Sequence, residues 1–274
     1  MKKLLILPAS ILVCSMVPRA AVPEDDPITQ APPVPVTTSS PSLLPTPDEL
    51  ESETQAFDRT WSDTTLYLPV VDLSPDRRYS RLSEEDFREV AEELGVEVAA
   101  IKAVVDIEAG KAHEGFFEEG KPIINFDLSM YTRAAKRHGV SLAKARKNHP
   151  VIFAKPNTRK YGSYQAAQWA RMEAARSIDE ESALEGAFWG MFQIGGFNWK
   201  LCGCDSVQQF VELMSRSERD QLELFGHLIT ACGMLPALQK KQWLAFATKY
   251  NGARAKARGY HRRMAAAYKR YKEE

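Results

Sequence analysis

The chain has 274 residues, of which 44% are hydrophobic, so it can bury a core in one large domain or two small ones. Its 36 basic and 36 acidic residues give no net charge, which argues against general electrostatic binding to nucleic acid or to a membrane surface. The hydrophobic fraction and the absence of net charge exclude a chain that is disordered throughout.

The first 21 residues have the pattern of a secretory signal peptide. Two lysines precede an apolar stretch, residues 4–17, and the small residues Ala20 and Ala21 follow it. A transmembrane anchor is the competing interpretation, but this stretch is shorter than the ~18 residues that a span needs, and it contains Pro8. A lipid anchor through Cys14 is the less favoured alternative. We therefore expect an exported protein, periplasmic or secreted, with no stable membrane span after removal of the signal.

Residues 22–78 are predicted to form a linker. From Val22 to Phe57 the chain is rich in Pro, Ser and Thr, carries several acidic residues and has no Lys or Arg. This composition is typical of a flexible, disordered acidic tether. A later run, Leu66 to Val71, fits either one strand or a segment packed on the domain. The folded domain is then expected to span residues 79–274.

A helical pattern begins near Leu82. Ser83 precedes Asp86 by three residues, as in a capping box, and Gly95 ends the first predicted helix. A second helix ends at Gly110, and residues 113–128 have the glycine, proline and β-prone content of a turn and short hairpin. No internal repeat or alternation of strands and helices follows. Further helices are predicted over residues 129–147, 163–178, 181–190, 206–214, 217–232, 235–249 and 258–272.

Three cysteines remain once the predicted signal peptide has been removed. In an oxidising compartment they predict one disulfide and one free thiol. Cys202 and Cys204 are too close in sequence to bridge each other easily, so Cys232 is expected to pair with one of them. No His pair accompanies these cysteines, and the histidines of the chain lack ligand spacing, so no metal site is predicted.

The C-terminal segment, residues 249–272, is dense in Lys and Arg. Such a run is usually the solvated face of a helix. The alternative is a cationic surface that contacts an anionic polymer such as a cell wall.

Glu108 is the most informative single residue. At 3.6 residues per turn, Ile101, Val104, Val105 and Glu108 share one face of the second helix, while Asp106 projects to nearly the opposite side. Burial and a helix C-terminus both disfavour the charged form of a carboxyl group, so a glutamate there is suited to donate a proton near neutral pH. The alternative is a helix that ends at Glu108 with its side chain in water.

Residues 185–200 combine aromatic side chains with glycines, including Gly190, Gly195 and Gly196. Aromatic rings suit the apolar faces of sugars, glycines permit close backbone approach, and the amides of Gln193 and Asn198 can bind acetamide or hydroxyl groups. Taken alone, such a run is more typical of a hydrophobic core. The aromatic residues are Phe188, Trp189, Phe192, Phe197 and Trp199.

The order of these segments resembles the lysozyme superfamily: a helix ending in an acid, a hairpin, a Gly-Met-Phe-Gln-Ile segment at residues 190–194, and the turn Tyr250-Asn251-Gly252. More closely, LGVEVAAIKAVVDIE, GKPIINFD, YGSYQAAQWARMEAARSIDEESALEGAFWGMFQIGGFNW and the YNG turn resemble the N-acetylmuramidase family common in phage endolysins. The resemblance covers about residues 84–271.

This resemblance implies a mainly α, lysozyme-like domain with a small β-hairpin. The implied activity is cleavage of the β-1,4 bond between N-acetylmuramic acid and N-acetylglucosamine in peptidoglycan, with no metal or organic cofactor. Glu108 would be the general acid, and Asp127 is the candidate second carboxylate. The candidate substrate-binding residues are Trp189, Phe192, Gln193, Asn198, Tyr250, Asn251 and His113, which closely follows Glu108.

Two positions depart from the family pattern. Ser or Thr usually follows the acid, and Ala109 replaces it here, so one hydrogen bond that could orient Glu108 is missing. Where the family tends to have a Glu with a nearby His, this chain reads Phe-Asp-Leu-Ser at 126–129, which gives Asp127 a shorter reach. The alternatives to a hydrolase are therefore a lytic transglycosylase that forms 1,6-anhydro products and a peptidoglycan-binding protein without turnover.

Overall fold

The computed structural model of the chain describes residues 78–110 and 114–274. The predicted signal peptide, the predicted linker up to residue 77 and His113 lie outside the described residues. Within the part that is described, no helix is long and apolar enough to cross a membrane.

The first two helices are α1 (Glu84–Leu94) and α2 (Val98–Glu108). The predicted capping box at Ser83 is confirmed, and Gly95, in the left-handed conformation with φ 60°, ends α1 as predicted. Helix α2 buries most of its side chains, including the predicted face that ends at Glu108.

The predicted hairpin is confirmed as β1 (Phe116–Glu118) paired with β2 (Lys121–Pro122). The sequence did not predict a second, three-stranded antiparallel sheet, formed by β3 (Ile124–Phe126), β4 (Ala187–Trp189) and β5 (Ile194–Gly195). Strand β3 pairs with β4 across some 60 residues of chain. Local periodicity does not report pairing over such a distance.

A helix predicted over residues 181–190 is wrong in its second half. Helix α8 covers only Glu180–Glu185, and residues 187–189 form β4. The chain turns at Gly186, where a Cβ would lie 2.7 Å from the backbone Cα of Tyr131. The backbone of the next three residues hydrogen-bonds to β3, and this tertiary pairing overrides local helix propensity.

Two other predicted helices are each divided in the structure. The segment 129–147 contains α3 (Leu128–Arg137) and α4 (Ala145–Asn148), which are separated at Gly139 with φ 71°. The segment 235–249 contains α11 (Leu235–Gln239) and α12 (Trp243–Asn251), which are separated at Lys241 with φ 53°. A left-handed residue cannot continue a right-handed helix.

The structure is mainly helical with two small antiparallel sheets, which confirms the predicted fold class. Between α4 and α11 lie α5 (Pro150–Phe153), α6 (Thr158–Tyr161), α7 (Tyr164–Arg176), α9 (Val207–Arg216) and α10 (Glu218–Ala231). Short 3-10 helices cover Gly196–Asn198 and Ala253–Ala255, and α13 (Tyr260–Glu273) is the last element. Helix α10 is buried along nearly its whole length and forms the centre of the core.

Helix α13 packs against α2, the helix that ends at Glu108. Glu97, next to the start of α2, accepts hydrogen bonds from Lys241, Tyr268 and Lys272. The bonds from Lys241 and then from Lys272 lower the pKa of Glu97 to about 2. Part of the basic C-terminal segment is therefore used within the domain, where it holds α2 in place.

The predicted disulfide between Cys232 and Cys202 or Cys204 is wrong. Cys202 and Cys204 are both free and buried. Burial raises the pKa of the Cys204 thiol to about 12 and that of the Cys202 thiol well above its ordinary value. Both side chains pack in the core as small apolar groups, and a thiol held in its protonated form is a poor nucleophile.

Tyr131 on α3 carries a polar group that the fold does not use. Its hydroxyl is buried and has no hydrogen-bond partner among the described residues. Burial, with a smaller effect of Asp179, raises the pKa of this phenol to about 12.

Tyr131→Phe should therefore be neutral or raise the free energy of unfolding by up to about 1 kcal/mol at neutral pH, because it removes an unpaired polar group. Between pH 10 and about 12 the unfolded phenol loses its proton first, so the wild type should lose stability there, and the variant should lose less. Urea titrations at both ends of this window measure the difference. A large destabilisation at neutral pH would contradict the prediction.

Candidate active site

Glu108 is the last residue of α2, and its side chain is only 4% exposed. Its Oε1 accepts a hydrogen bond of 2.8 Å from Nδ2 of Asn251, the last residue of α12. The side chain therefore does not extend freely into water, which was the alternative interpretation of this helix end. A carboxyl group buried on an apolar face and held by an amide has a fixed direction, as a proton donor requires.

The end of α12 connects Glu108 to the 190–194 segment. Asn251 contacts Glu108, and the neighbouring Tyr250 donates a hydrogen bond of 2.7 Å from its hydroxyl to the backbone oxygen of Phe192. Burial, and then the nearby charge of Glu108, raise the pKa of Tyr250 well above its ordinary value, so this hydroxyl remains a donor. The three segments predicted from the sequence therefore meet at the C-terminal end of α12, because this end contacts both Glu108 and the 190–194 segment.

Asn251 also carries an unused polar atom. Its Oδ1 is buried and has no hydrogen-bond partner in the described part of the chain. Gly252 follows with φ 80°, a conformation that favours glycine and that ends α12. The predicted Tyr-Asn-Gly turn is therefore a helix end, with its first two residues still helical.

The 190–194 segment is a tight turn between β4 and β5. The backbone oxygen of Gly190 accepts hydrogen bonds from both the backbone N–H and the side-chain Nε2 of Gln193, at 3.0 and 2.8 Å. Gln193 has φ 50°, which is unfavourable for a residue with a Cβ. Its Oε1 is buried without a partner among the described residues. A strained residue with a free polar atom is typical of a binding site.

Asn198, in the 3-10 helix after β5, has an unpaired buried atom, as Gln193 does. Its side chain is buried, and its Nδ2 has no hydrogen-bond partner in the residues described. Most buried polar atoms in proteins are hydrogen-bonded, so each exception requires an explanation.

The predicted aromatic contacts lie in the core. Phe192 is fully buried and stacks on Phe225 with ring centroids 4.4 Å apart. Trp189 is 1% exposed and donates its indole N–H to the backbone oxygen of Leu184. In this conformation both rings are covered by the core, so their role as sugar contacts stays a prediction.

Asp127 has a clear structural role. It is the N-cap of α3, where its Oδ1 accepts hydrogen bonds from the backbone N–H groups of Ser129 and Met130, at 2.8 and 3.0 Å. Its Oδ2 takes no hydrogen bond from the residues described. A capping aspartate at this position needs no catalytic explanation, and its role as a second carboxylate stays a prediction.

The sequence did not identify two buried amides near these segments. Asn125 on β3 accepts hydrogen bonds from Tyr164 and Gln168 of α7. Gln221 on α10 contacts the backbone of Met191 within the 190–194 segment. The spacing of Tyr164 and Gln168, which places both on one face of α7, was a signal that could have indicated Asn125. No local signal indicates Gln221, because its contact depends on the packing of a distant helix.

The described residues contain no group of three or more His, Cys, Asp or Glu side chains that could hold a metal.

Comparison with known proteins supports these observations. The N-acetylmuramidase family model, named Muramidase, matches residues 97–272, a range that includes Glu108, Gln193 and Asn251. A similar solved structure is the crystal structure of the Burkholderia AP3 phage endolysin, with 32% sequence identity, a TM-score of 0.59 and 72% coverage of each chain. No curated protein sequence matches the chain. The chain therefore belongs to the N-acetylmuramidase family, and it is an enzyme of that family, a peptidoglycan hydrolase.

Proposed function

We propose that the protein hydrolyses the β-1,4 bond between N-acetylmuramic acid and N-acetylglucosamine, with Glu108 as the general acid. The observation that carries this proposal is the buried Glu108 carboxyl at the end of α2, held at 2.8 Å by Asn251. The family to which the chain belongs acts on the same polymer.

In this mechanism Glu108 donates its proton to the glycosidic oxygen as the bond to the anomeric carbon breaks. Positive charge develops at that carbon, and the ionised carboxylate left on Glu108 lies nearby. Water then adds to the anomeric carbon, which forms a new reducing end, and the proton that the water loses passes to a carboxylate, so that Glu108 ends the cycle protonated again. We propose Asp127, through its Oδ2, as the second carboxylate that assists the water or the cationic carbon.

The unpaired buried atoms supply contacts for the sugars. An acetamide or hydroxyl group can donate a hydrogen bond to Oε1 of Gln193 or to Oδ1 of Asn251, and an acetamide oxygen can accept one from Nδ2 of Asn198. Each such contact removes the cost of leaving a buried polar atom unpaired. Tyr250, Trp189 and Phe192 support this surface, and His113 is proposed as a further contact.

We also propose that the protein acts outside the cytoplasmic membrane, in the periplasm or the medium. The pattern of the first 21 residues supports export. The substrate class supports the same location, because the cell wall lies outside that membrane.

A lytic transglycosylase remains the second candidate, and the capping role of Asp127 favours it. In that reaction a hydroxyl of the substrate attacks the anomeric carbon, so no second carboxylate has to activate water. The capped Asp127 would then serve the fold alone.

Product analysis separates the candidates. Purified cell wall is incubated with the enzyme in water enriched in ¹⁸O, and the fragments are analysed by mass spectrometry. Hydrolysis should give reducing ends that carry one solvent oxygen at N-acetylmuramic acid. Anhydro ends, one water lighter and without the label, would indicate a transglycosylase. Reducing ends at N-acetylglucosamine, or no fragments, would contradict both reactions.

A further inference from the structure

The side chain of Gln221 joins two loops, one after α2 and one between β4 and β5. Gln221 lies on α10 and is fully buried. Its Oε1 accepts a hydrogen bond of 2.8 Å from the backbone N–H of Met191. Its Nε2 donates to the backbone oxygens of Gly115, at 3.3 Å, and Met214, at 2.9 Å. The Gln221 side chain therefore uses both of its N–H donors and its oxygen in hydrogen bonds to backbone groups.

Both loops need glycine where they meet this carboxamide. A Cβ on Gly115 would lie 2.6 Å from Oε1 of Gln221, and a Cβ on Gly190 would lie 2.5 Å from the same atom. Real Cβ atoms do not approach a neighbour so closely, so the two backbones pack directly on the amide. The α10 helix also holds Gly115 through Glu218, whose Oε1 accepts the Gly115 N–H at 2.7 Å.

The loop between β4 and β5 presents Gln193. The residue next to Gly190 is Met191, whose N–H is held by Gln221, and the oxygen of Gly190 binds Gln193 twice. The unfavourable φ of 50° at Gln193 persists only where the surroundings fix it. The bond from Met191 to Gln221 is one of the contacts that fix this loop.

We propose that Gln221 is a positioning residue for substrate binding, which holds the loop so that the unpaired Oε1 of Gln193 accepts a hydrogen bond from the glycan. This inference rests on the proposed function. Gln221 is fully buried and acts through Gln193 without touching the substrate. A binding contact of this kind acts equally on the bound substrate and the transition state, so its loss raises KM and leaves kcat unchanged.

The test uses Gln221→Met, which keeps the volume and removes all three hydrogen bonds. With soluble, uncrosslinked glycan strands, KM should rise about tenfold, as expected for one lost hydrogen bond, and kcat should stay within about twofold. The amide of Met191 should exchange with solvent at least about tenfold faster. Ile229→Ala, a buried change on the same helix, is the control for a general loss of stability. It should leave KM unchanged at a temperature where both variants are folded.

Gln221→Glu provides a second variant if the methionine variant does not fold. Ionised glutamate offers no donor to Gly115 and Met214, and its charge would face both backbone oxygens, so the side chain should turn away and release the Met191 N–H as well. Protonated glutamate regains one donor. The KM and the exchange rate of the Met191 amide should therefore both be high at neutral pH and should fall together as the pH falls. A KM that stays at the wild-type value while the Met191 amide exchanges faster would overturn the proposal.

Binding to insoluble cell wall separates this inference from the proposed function. In a Glu108→Gln background, adding Gln221→Met should weaken binding about tenfold, and this result is readable even if the wild type does not cleave. Faster exchange at Met191 with unchanged binding would overturn the role of Gln221. If the wild type does not cleave the wall but the double variant binds it more weakly, the hydrolase assignment alone is overturned.

Discussion

Glu108→Gln is expected to lower the rate of cell-wall cleavage by about 1,000-fold or more, while the domain stays folded and still binds the wall. Glutamine keeps the shape of the side chain and can still contact Nδ2 or Oδ1 of Asn251 after rotation of its amide. It has no proton to transfer to the glycosidic oxygen. Release of labelled fragments measures cleavage, and co-sedimentation with insoluble wall measures binding.

Glu185→Gln is the matched control. Glu185 is also buried, and its carboxylate accepts hydrogen bonds from Arg137, at 2.6 Å, and from Trp199, at 3.2 Å. Loss of one buried negative charge should therefore reduce stability in this variant but leave cleavage close to wild type when the protein is folded. Retained cleavage in Glu108→Gln, or equal loss in both variants, would contradict the assignment of Glu108.

Gly196→Ala is expected to cause the largest loss of stability among single methyl additions in the site. A Cβ at this position would lie 2.1 Å from the backbone oxygen of Leu184 and 3.1 Å from the Cα of Glu185. These neighbours are backbone atoms at the end of α8, so neither can rotate away. We expect the free energy of unfolding to fall by about 3 kcal/mol or more. Urea denaturation followed by circular dichroism measures this change.

Gly226→Ala, in the middle of α10, provides the comparison. A Cβ there would meet a side-chain carbon of Leu94 at 3.4 Å, an ordinary contact. Because alanine favours the helix more than glycine does, this variant should be neutral or more stable by up to about 1 kcal/mol. Equal changes in the free energy of unfolding for Gly196→Ala and Gly226→Ala would contradict the close packing of the 3-10 helix on α8.

Much of the helical fold was predictable because its signals are local. The capping box at Ser83, the stop at Gly95 and the apolar face of α2 all depend on residues within a few turns of one another. The errors occurred where distant contacts decide. Residues 187–189 became a strand because β3 lies beside them, and Lys241 took a left-handed conformation inside a segment with helical periodicity.

The candidate site was predictable in its members but not in its geometry. The sequence selected Glu108, Gln193 and Asn251 by their resemblance to a family pattern. Only the structure shows that Asn251 binds Glu108, or that Gln193 has an unpaired Oε1. The rings of Trp189 and Phe192 also illustrate the limit, because an aromatic run has the same composition in a sugar cleft as in a core.

The sequence by itself determined the family, the mainly helical fold and the placement of Glu108 at the end of an apolar helix face, because each depends on local order along the chain. The tertiary structure decided what surrounds that carboxyl group. Helix α12 brings Asn251 to it, and helix α13 holds α2 through Glu97. These contacts join residues more than 100 positions apart, and the free energy of such packing depends on shape, burial and hydrogen bonding that no local pattern records.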